Sequence, residues 1–524
     1  MKILFVAGSP AFYLRQYGAL VALLVERGHS VHVLFKPAKG EDPLQAVKDV
    51  GPHVTFGIAP TRERYDGWAS VAWLVRGVGD LARYTHPRFA PATVLRERIT
   101  TRTLDHLQSS RKFAPLGRRL ALRLARRLAG TTDARLADRT IARLERLEAG
   151  IPTSPPIDDF VRRHAPDVVL ATPVVNQASP QVDFLKSARR QRIPTGIAVA
   201  SWDNLTNKGL LKFKPERVFV WNETQRREAI EQHGIPPERV VATGAQLFDP
   251  WFERRPSTTR QEFVRRAGLD PARPYVLYTC SNPGMTKTPE LQFVTEWLVA
   301  LRGDERLRDV GVMIRPHPSG ADDWVGVDLS GYGDAVVWPR AGALPVTEDG
   351  RAVFFDSLAW SAAVVGINTT AMIEAAIAGK SVLTVLAPAF AQETTLHFRY
   401  LLEENGGFLH VASSLDEHVR QLAGALERAD ADAEQRRRFV ASFVRPHGLD
   451  RPATPILADE VEKLALLTPD APDRAPLLTL ALWPEALLSS LVLRLKPVRK
   501  KRRRLRKLRT RVVGKARRHG LLPG

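Results

Sequence analysis

Ala363-Val-Val-Gly-Ile-Asn-Thr-Thr-Ala-Met-Ile-Glu-Ala-Ala-Ile-Ala-Gly379, followed at once by Lys380-Ser-Val-Leu-Thr-Val-Leu386, reads as strand, polar turn, short helix and second buried strand. The apolar run 363–367 has the length of a parallel strand, and Asn368-Thr369-Thr370 supplies N-cap chemistry to the Ala-rich helix behind it. A helix N-terminus at the carboxyl end of a strand presents free N–H groups and the positive end of a dipole to an anion. Glu374 falls about one turn into that helix, where it can accept hydrogen bonds from a ribose. The outline is that of a nucleotide site. An ordinary βα turn with a capping threonine has the same pattern.

Outward from this unit the alternation continues. Strands are expected at Tyr275–Tyr278, Val310–Ile314, Ala335–Trp338 and Gly407–Val411, with helices in most gaps. The first half opens with Lys2-Ile-Leu-Phe-Val-Ala7, a polar loop Gly8-Ser9-Pro10, a helix through Leu20–Arg27 ended by Gly28, and a strand to Phe35, a βαβ unit. Strands resume at Asp167–Ala171, Gly196–Ala200 and Arg217–Trp221, after a helical, Arg-rich interruption at about 62–150. A change of domain is expected near 248–273. Two consecutive alternating halves imply two doubly wound parallel sheets facing a cleft, with ligands at the carboxyl ends of the strands. The expected division is 1–250, 251–468 and a tail over 469–524.

Several strand ends carry chemistry. Arg315-Pro-His-Pro318 follows a strand directly, and the flanking prolines stiffen the loop that holds His317, which can donate to a phosphate. Ser281-Asn282-Pro-Gly284 is a small-residue loop at which a phosphate can approach the backbone. On the first sheet, Ser201-Trp202-Asp203-Asn204 follows the strand at 196–200. Asp203 is the best-placed carboxylate there to take a hydroxyl proton, although Asp203 and Asn204 also suit an Asx turn. Trp221-Asn222-Glu-Thr224 ends the next strand and either lines the cleft or caps the following helix. No Asp-x-Asp motif stands at a strand end and no His/Asp cluster has metal-ligand spacing, so the expected mechanism uses no metal and no cofactor. The leaving phosphate would be met by the helix dipole, Arg315 and His317.

The chain resembles two-domain GT-B proteins, the architecture of many nucleotide-sugar glycosyltransferases. The resemblance covers roughly residues 1–465. It rests on Glu26-Arg-Gly-His-Ser-Val-His-Val33, on Gly366-Ile-Asn-Thr-Thr370 with Glu374, and on Ala378-Gly-Lys-Ser-Val382. The Arg-Pro-His-Pro and Asn-Thr-Thr pair is also similar to the His-Pro and Ser/Thr motifs of CDP-glycerol glycerophosphotransferases, bacterial sialyltransferases and capsule Kdo transferases. Many of those have paired serines where this chain has Asn-Thr-Thr. The resemblance implies a donor domain in the second half, with His317, Thr369 and Thr370 on phosphate, Asn368 beside them and Glu374 on the ribose. It further implies that the loop holding Glu393, Thr394 and His397 faces the donor; the same residues also suit a helix cap. Ser9, Trp202, Asn204 and Asn222 would lie on the acceptor side. The expected activity is transfer of a sugar or polyol phosphate from a nucleotide-activated donor to a glycan or lipid-linked acceptor in surface polysaccharide synthesis. The alternatives are a non-hydrolysing UDP-sugar epimerase, whose phosphate loop is typically richer in Gly and acidic residues, and a non-catalytic scaffold.

Composition fixes the setting. At 524 residues more than one core is expected, and the single cysteine, Cys280, excludes an intramolecular disulfide and suits a reducing cytoplasm. The net charge is +21, yet Arg494–Gly524 alone holds fifteen Lys/Arg and no acidic residue, which leaves +6 for the rest. Pro476–Leu495 is apolar but interrupted at Pro484-Glu485, too short on either side for a span of ~20 residues. With the polybasic run behind it, it fits a membrane-surface anchor to anionic lipid, hence a cytoplasmic protein peripheral to the membrane. Nucleic acid is the competing partner, but no Phe, Trp or Tyr follows Trp483, so bases find nothing to stack on.

Overall fold

The computed structural model describes residues 1–37, 44, 47, 53–60, 66–110, 113–283, 290–339, 347–387, 390, 392, 395–428, 431–472 and 475–492. Two parallel sheets organise them. The first has seven strands, β1 (Lys2–Val6), β2 (Ser30–Phe35), β3 (Val54–Ile58), β4 (Val168–Ala171), β5 (Thr195–Ala198), β6 (Arg217–Val220) and β7 (Val240–Ala242), in the order β3-β2-β1-β4-β5-β6-β7. The second has β8 (Tyr275–Thr279), β9 (Gly311–Arg315), β10 (Ala335–Val337), β11 (Ala363–Gly366), β12 (Val382–Val385) and β13 (His410–Ala412), in the order β10-β9-β8-β11-β12-β13. In both, the strand order runs outward from the first strand and then reverses, the doubly wound arrangement expected from the alternation.

The central strands are buried along their whole length, as continuous Val/Ile/Leu runs require when helices cover both faces. Apolar clusters flank each sheet on both sides. Two strands had no counterpart in the sequence expectation. Both are edge strands: β3 is interrupted by Gly57, and β7 has only three residues.

Helices Trp68–Arg83, Thr93–Ser109, Pro115–Ala129 and Ala134–Ala149 form the expected insertion between β3 and β4, with apolar cores of their own. A buried ionic anchor ties it to the helix Val182–Arg190 that follows β4: Arg76 pairs with Glu148 of the insertion and with Asp183 of that helix at 2.7 and 2.8 Å.

Helix Ala453–Ala465 returns to the first domain, although the sequence expectation grouped it with the second. Leu457, Ala458, Val461 and Leu464 enter the apolar cluster that contains β1 and β2. Asp249, at the junction between halves, fixes that return: its carboxylate accepts from Ala453 N (2.9 Å), Thr454 N (2.6 Å) and Arg445 Nη2 (3.0 Å).

The apolar stretch after Pro476 is divided close to where the sequence placed its break, into a 3₁₀ helix Leu477–Leu482 and a helix over 483–492. Pro484 lies in the first turn of the latter, where its missing N–H has no partner to lose. That helix packs on the insertion. Residues 493–524, with the polybasic run, lie outside the described residues. Among the described residues no helix is long and apolar enough to cross a membrane.

Candidate functional site

A cleft of about 450 Å³ opens between the carboxyl ends of the two sheets. Its second-domain wall comes from three neighbouring strands, β9, β8 and β11. Each ends in a polar loop, and the sheet order therefore brings His317, Asn282 and Asn368-Thr369-Thr370 onto one wall. The opposite wall carries Trp202 and Asp203 after β5, and Asn176 and Gln177 after β4.

His317 caps the short helical segment Pro318–Trp324, and its Nδ1 accepts the Ser319 N–H at 3.1 Å. With Nδ1 occupied as an acceptor, the neutral ring carries its proton on Nε2. Burial, and then the nearby Arg15 charge, hold the imidazole below its ordinary pKa. The result is a neutral N–H donor, the form suited to an anionic oxygen without a proton transfer.

The turn after β11 is held from two sides. Asn368 N donates to Ser281 Oγ (3.3 Å), and Asn368 Nδ2 donates to Thr395 Oγ1 (2.9 Å). Thr369 Oγ1 accepts the Ala371 N–H at 3.4 Å. Thr370 occupies the N-cap position of helix Ala371–Ile377 in a helical conformation and makes no side-chain capping bond. The expected capping therefore falls to Thr369.

Glu374 and Arg315 lie behind this wall, outside the lining of the cleft. Glu374 is buried and pairs with Arg15 of the first domain at 3.1 Å, a contact between the two halves. Burial raises its pKa, and Arg15 followed by Arg315 offsets part of the rise. The ribose role expected for Glu374 thus meets a carboxylate already engaged across the domain boundary. Arg315 is 8% exposed, stacks over Phe354 at 4.7 Å and leaves Nη1 without a hydrogen-bond partner. Burial lowers its pKa to about 10, against the charge of Glu374.

On the first-domain wall Asp203 accepts from Asn204 Nδ2 (3.2 Å) and pairs with Lys208 at 3.5 Å. Burial pushes its pKa up, but Lys208, His397 and a hydrogen bond from Ser201 outweigh it, and the carboxyl sits below its ordinary value. Asn204 Oδ1 accepts the Ala200 N–H at 3.3 Å, four residues back, and Asp203 makes no side-chain capping bond to the helix Asn204–Asn207, so neither residue forms the Asx turn that its type suits. His397 crosses from the second domain to this wall. Its ring stands edge-on to Trp202 with centroids 4.3 Å apart, and Asn207 Nδ2 bonds its Nδ1. Burial takes its pKa down to about 4, despite the opposing pull of Asp203.

Of the residues expected on the acceptor side, Asn204 is buried beside Asp203 and does not line the cleft, and two others stand elsewhere. Asn222 caps helix Glu223–His233 and donates to Phe443 O at 2.7 Å, a buried link between the halves. Ser9 caps helix Pro10–Gln16 at the surface. Glu393 and Thr394 lie outside the described residues.

Sequence reasoning missed the cations of the first-domain wall. Arg98 and Arg102, on helix Thr93–Ser109 of the insertion, line the cleft with Lys208, and among the described residues that line it Asp203 is the one carboxylate. Arg98 Nη2 donates to Asn207 O at 3.2 Å, which ties the insertion to the loop after Asp203. A signal was present: Leu95, Arg98, Ile99 and Arg102 share one helical face. Among the described residues no three His, Cys, Asp or Glu side chains gather as metal ligands.

No protein-family model matches the chain, and no curated protein matches it. Solved structures do. The fold is similar to that of the UDP-GlcNAc 2-epimerase from Neisseria meningitidis bound to UDP-GlcNAc, at 12% identity over 88% of this chain and 100% of that one, with a TM-score of 0.50. MurG from Acinetobacter baumannii matches at 11% identity over 88% and 99%, TM-score 0.42. The wall teichoic acid polymerase TagF matches at 9% over 89% and 89%, TM-score 0.43. At such identities likeness speaks for fold alone, and with the two facing sheets it establishes that the chain has the GT-B architecture.

Proposed function

We propose that this protein transfers a sugar or polyol phosphate from a nucleotide-activated donor to a glycan or lipid-linked acceptor of surface polysaccharide synthesis. It would work in the cytoplasm at the inner face of the membrane. The observation that carries the proposal is the convergence of His317, Asn282 and the Asn368–Thr370 turn on one wall, facing Asp203 across the cleft. A donor phosphate on the first group would receive the Nε2–H of His317 and the hydroxyls of Thr369 and Thr370. Asp203 opposite would accept the proton of the attacking hydroxyl. Developing charge on the leaving phosphate would be met by His317 and by the N-terminal N–H groups of helix Ala371–Ile377.

Among the described residues the acceptor side has three cations, Arg98, Arg102 and Lys208, against one carboxylate. That balance suits an acceptor with a phosphate more than a neutral glycan, and so favours the lipid-linked class. His317→Ala should lower donor turnover by about tenfold to a hundredfold with the fold intact, the worth of one hydrogen bond to a charged group. Unchanged turnover would remove His317 from the mechanism. Incubation with donor alone separates the alternative: appearance of an isomerised sugar without acceptor would make the protein an epimerase.

A further inference from the structure

The last described helix is amphipathic the wrong way round for a protein surface. Over residues 483–492 its polar side chains face inward. Glu485 Oε1 accepts the Ala114 N–H at 2.8 Å and the buried Ser489 hydroxyl at 2.9 Å. Ser490 Oγ accepts the Gly67 N–H at 2.7 Å. The apolar contacts on that inner side are Ala486, packed with Trp68 and Val71, and Trp483, whose ring stands edge-on to Trp68 with centroids 5.3 Å apart. The apolar side chains face outward. Leu487 is 63% and Leu491 54% exposed, and Leu477 and Leu480, on the 3₁₀ helix Leu477–Leu482 that leads into this one, are 85% and 62% exposed. Helix Pro115–Ala129, on which Glu485 and Ser489 are anchored, extends the same kind of surface with the exposed Leu116 and Leu120.

Scattered leucines on a surface need no explanation, but a row along two successive helical segments, with serines and glutamate turned inward, requires something apolar to cover it. Charge selects the cover. The exposed Arg119, Arg123, Arg126 and Arg127 follow Leu116 and Leu120 along the same helix, and the sequence beyond residue 492 is a run of Lys and Arg without acids. A second copy would bring like charges together. Leucines rimmed by arginines match the boundary of an anionic bilayer, with acyl chains beneath and phosphates around.

We infer that the leucine row of residues 477–491, with Leu116 and Leu120, is a docking face for an anionic lipid surface. The inference does not depend on the transferase activity. It changes the role of the C-terminal region, from a basic tether to the outer layer of a structured platform. The same insertion bears Arg98 and Arg102, so the docking face and the cationic wall of the cleft belong to one helical unit.

Sedimentation of the full chain with vesicles tests it, using phosphatidylcholine alone or mixed with phosphatidylglycerol. The variant Leu480→Ser/Leu487→Ser/Leu491→Ser changes only exposed side chains and should keep the wild-type melting temperature. The wild type is expected to bind the mixed vesicles and the variant to bind them about tenfold or more weakly. The gap should persist at high salt, where the basic run is screened. Equal binding by variant and wild type would assign attachment to the basic run alone and overturn the inference. So would a wild type that ignores both vesicles, or leucine substitutions that alter self-association and leave vesicle binding unchanged.

Discussion

His317 illustrates how one backbone hydrogen bond sets the chemistry of a side chain. Because Ser319 N–H occupies Nδ1, the ring meets the cleft as an Nε2–H donor, and burial keeps it neutral. Arg102 acts differently, as an exposed cation at the mouth of the same cleft. Arg102→Ala should raise the KM for a phosphorylated acceptor by about tenfold and leave that for the donor nearly unchanged, the effect of one charge-assisted contact. Steady-state kinetics with each substrate varied in turn would check this. His317, Asn282 and Asn368–Thr370 were legible in the sequence because each sits directly after a strand, and a strand end fixes where a loop residue emerges. Arg98 and Arg102 were not, since their place depends on how the insertion docks. Glu374 was legible as a residue near the site but not in its partner, because Arg15 lies in the other domain.

At the scale of elements, close backbone approach governs the insertion. A Cβ on Gly67 would lie 1.7 Å from the carbonyl oxygen of Ala486, so only glycine allows the helix over 483–492 to seat there. Gly67→Ala should cost about 1–3 kcal/mol of stability by overpacking and displace that helix, while nucleotide affinity stays as in the wild type. Urea unfolding and ligand titration on the same variant would show both. The central strands β1, β4, β8, β9 and β11 were readable as apolar runs bounded by loops. β3 and β7 were not, although the edge strands β10 and β13 were: Gly57 weakens the apolar pattern of β3, and β7 is three residues long with only Val240 buried. In the 476–492 stretch the apolar composition was legible but its orientation was not: the serines and glutamate of the helix over 483–492 attach it to the protein and leave its leucines outside.

Over the whole molecule, the two halves are joined through buried polar contacts, among them Arg15 with Glu374, Asn222 with Phe443, and Asn207 with His397. Opposed buried titrations accompany them. His397 and His418 are held down to about 4 by burial, so their contribution is lost as pH falls from 6.5 toward 4. Glu228 and Glu290 are pushed up to about 7 by burial, so theirs is present below 4.5 and lost as pH rises through 7. The two sets offset one another between pH 7 and 5. Glu290→Gln removes one of the second set, and relative to that variant the wild type should gain about 2–3 kcal/mol on going from pH 7 to 5. Urea unfolding of both proteins at the two pH values decides it; parallel curves would show that Glu290 does not hold its proton in the fold.

The nucleotide site is the centre of the account, and thermal unfolding of the full chain with UDP, GDP, TDP, CMP and CDP tests it most directly, in the wild type and in His317→Ala. One nucleotide should raise the wild-type melting temperature through binding to the folded state, with the rise much reduced in the variant. A wild type unmoved by all five, or a rise that His317→Ala leaves intact, would contradict a donor site on the wall built by β8, β9 and β11.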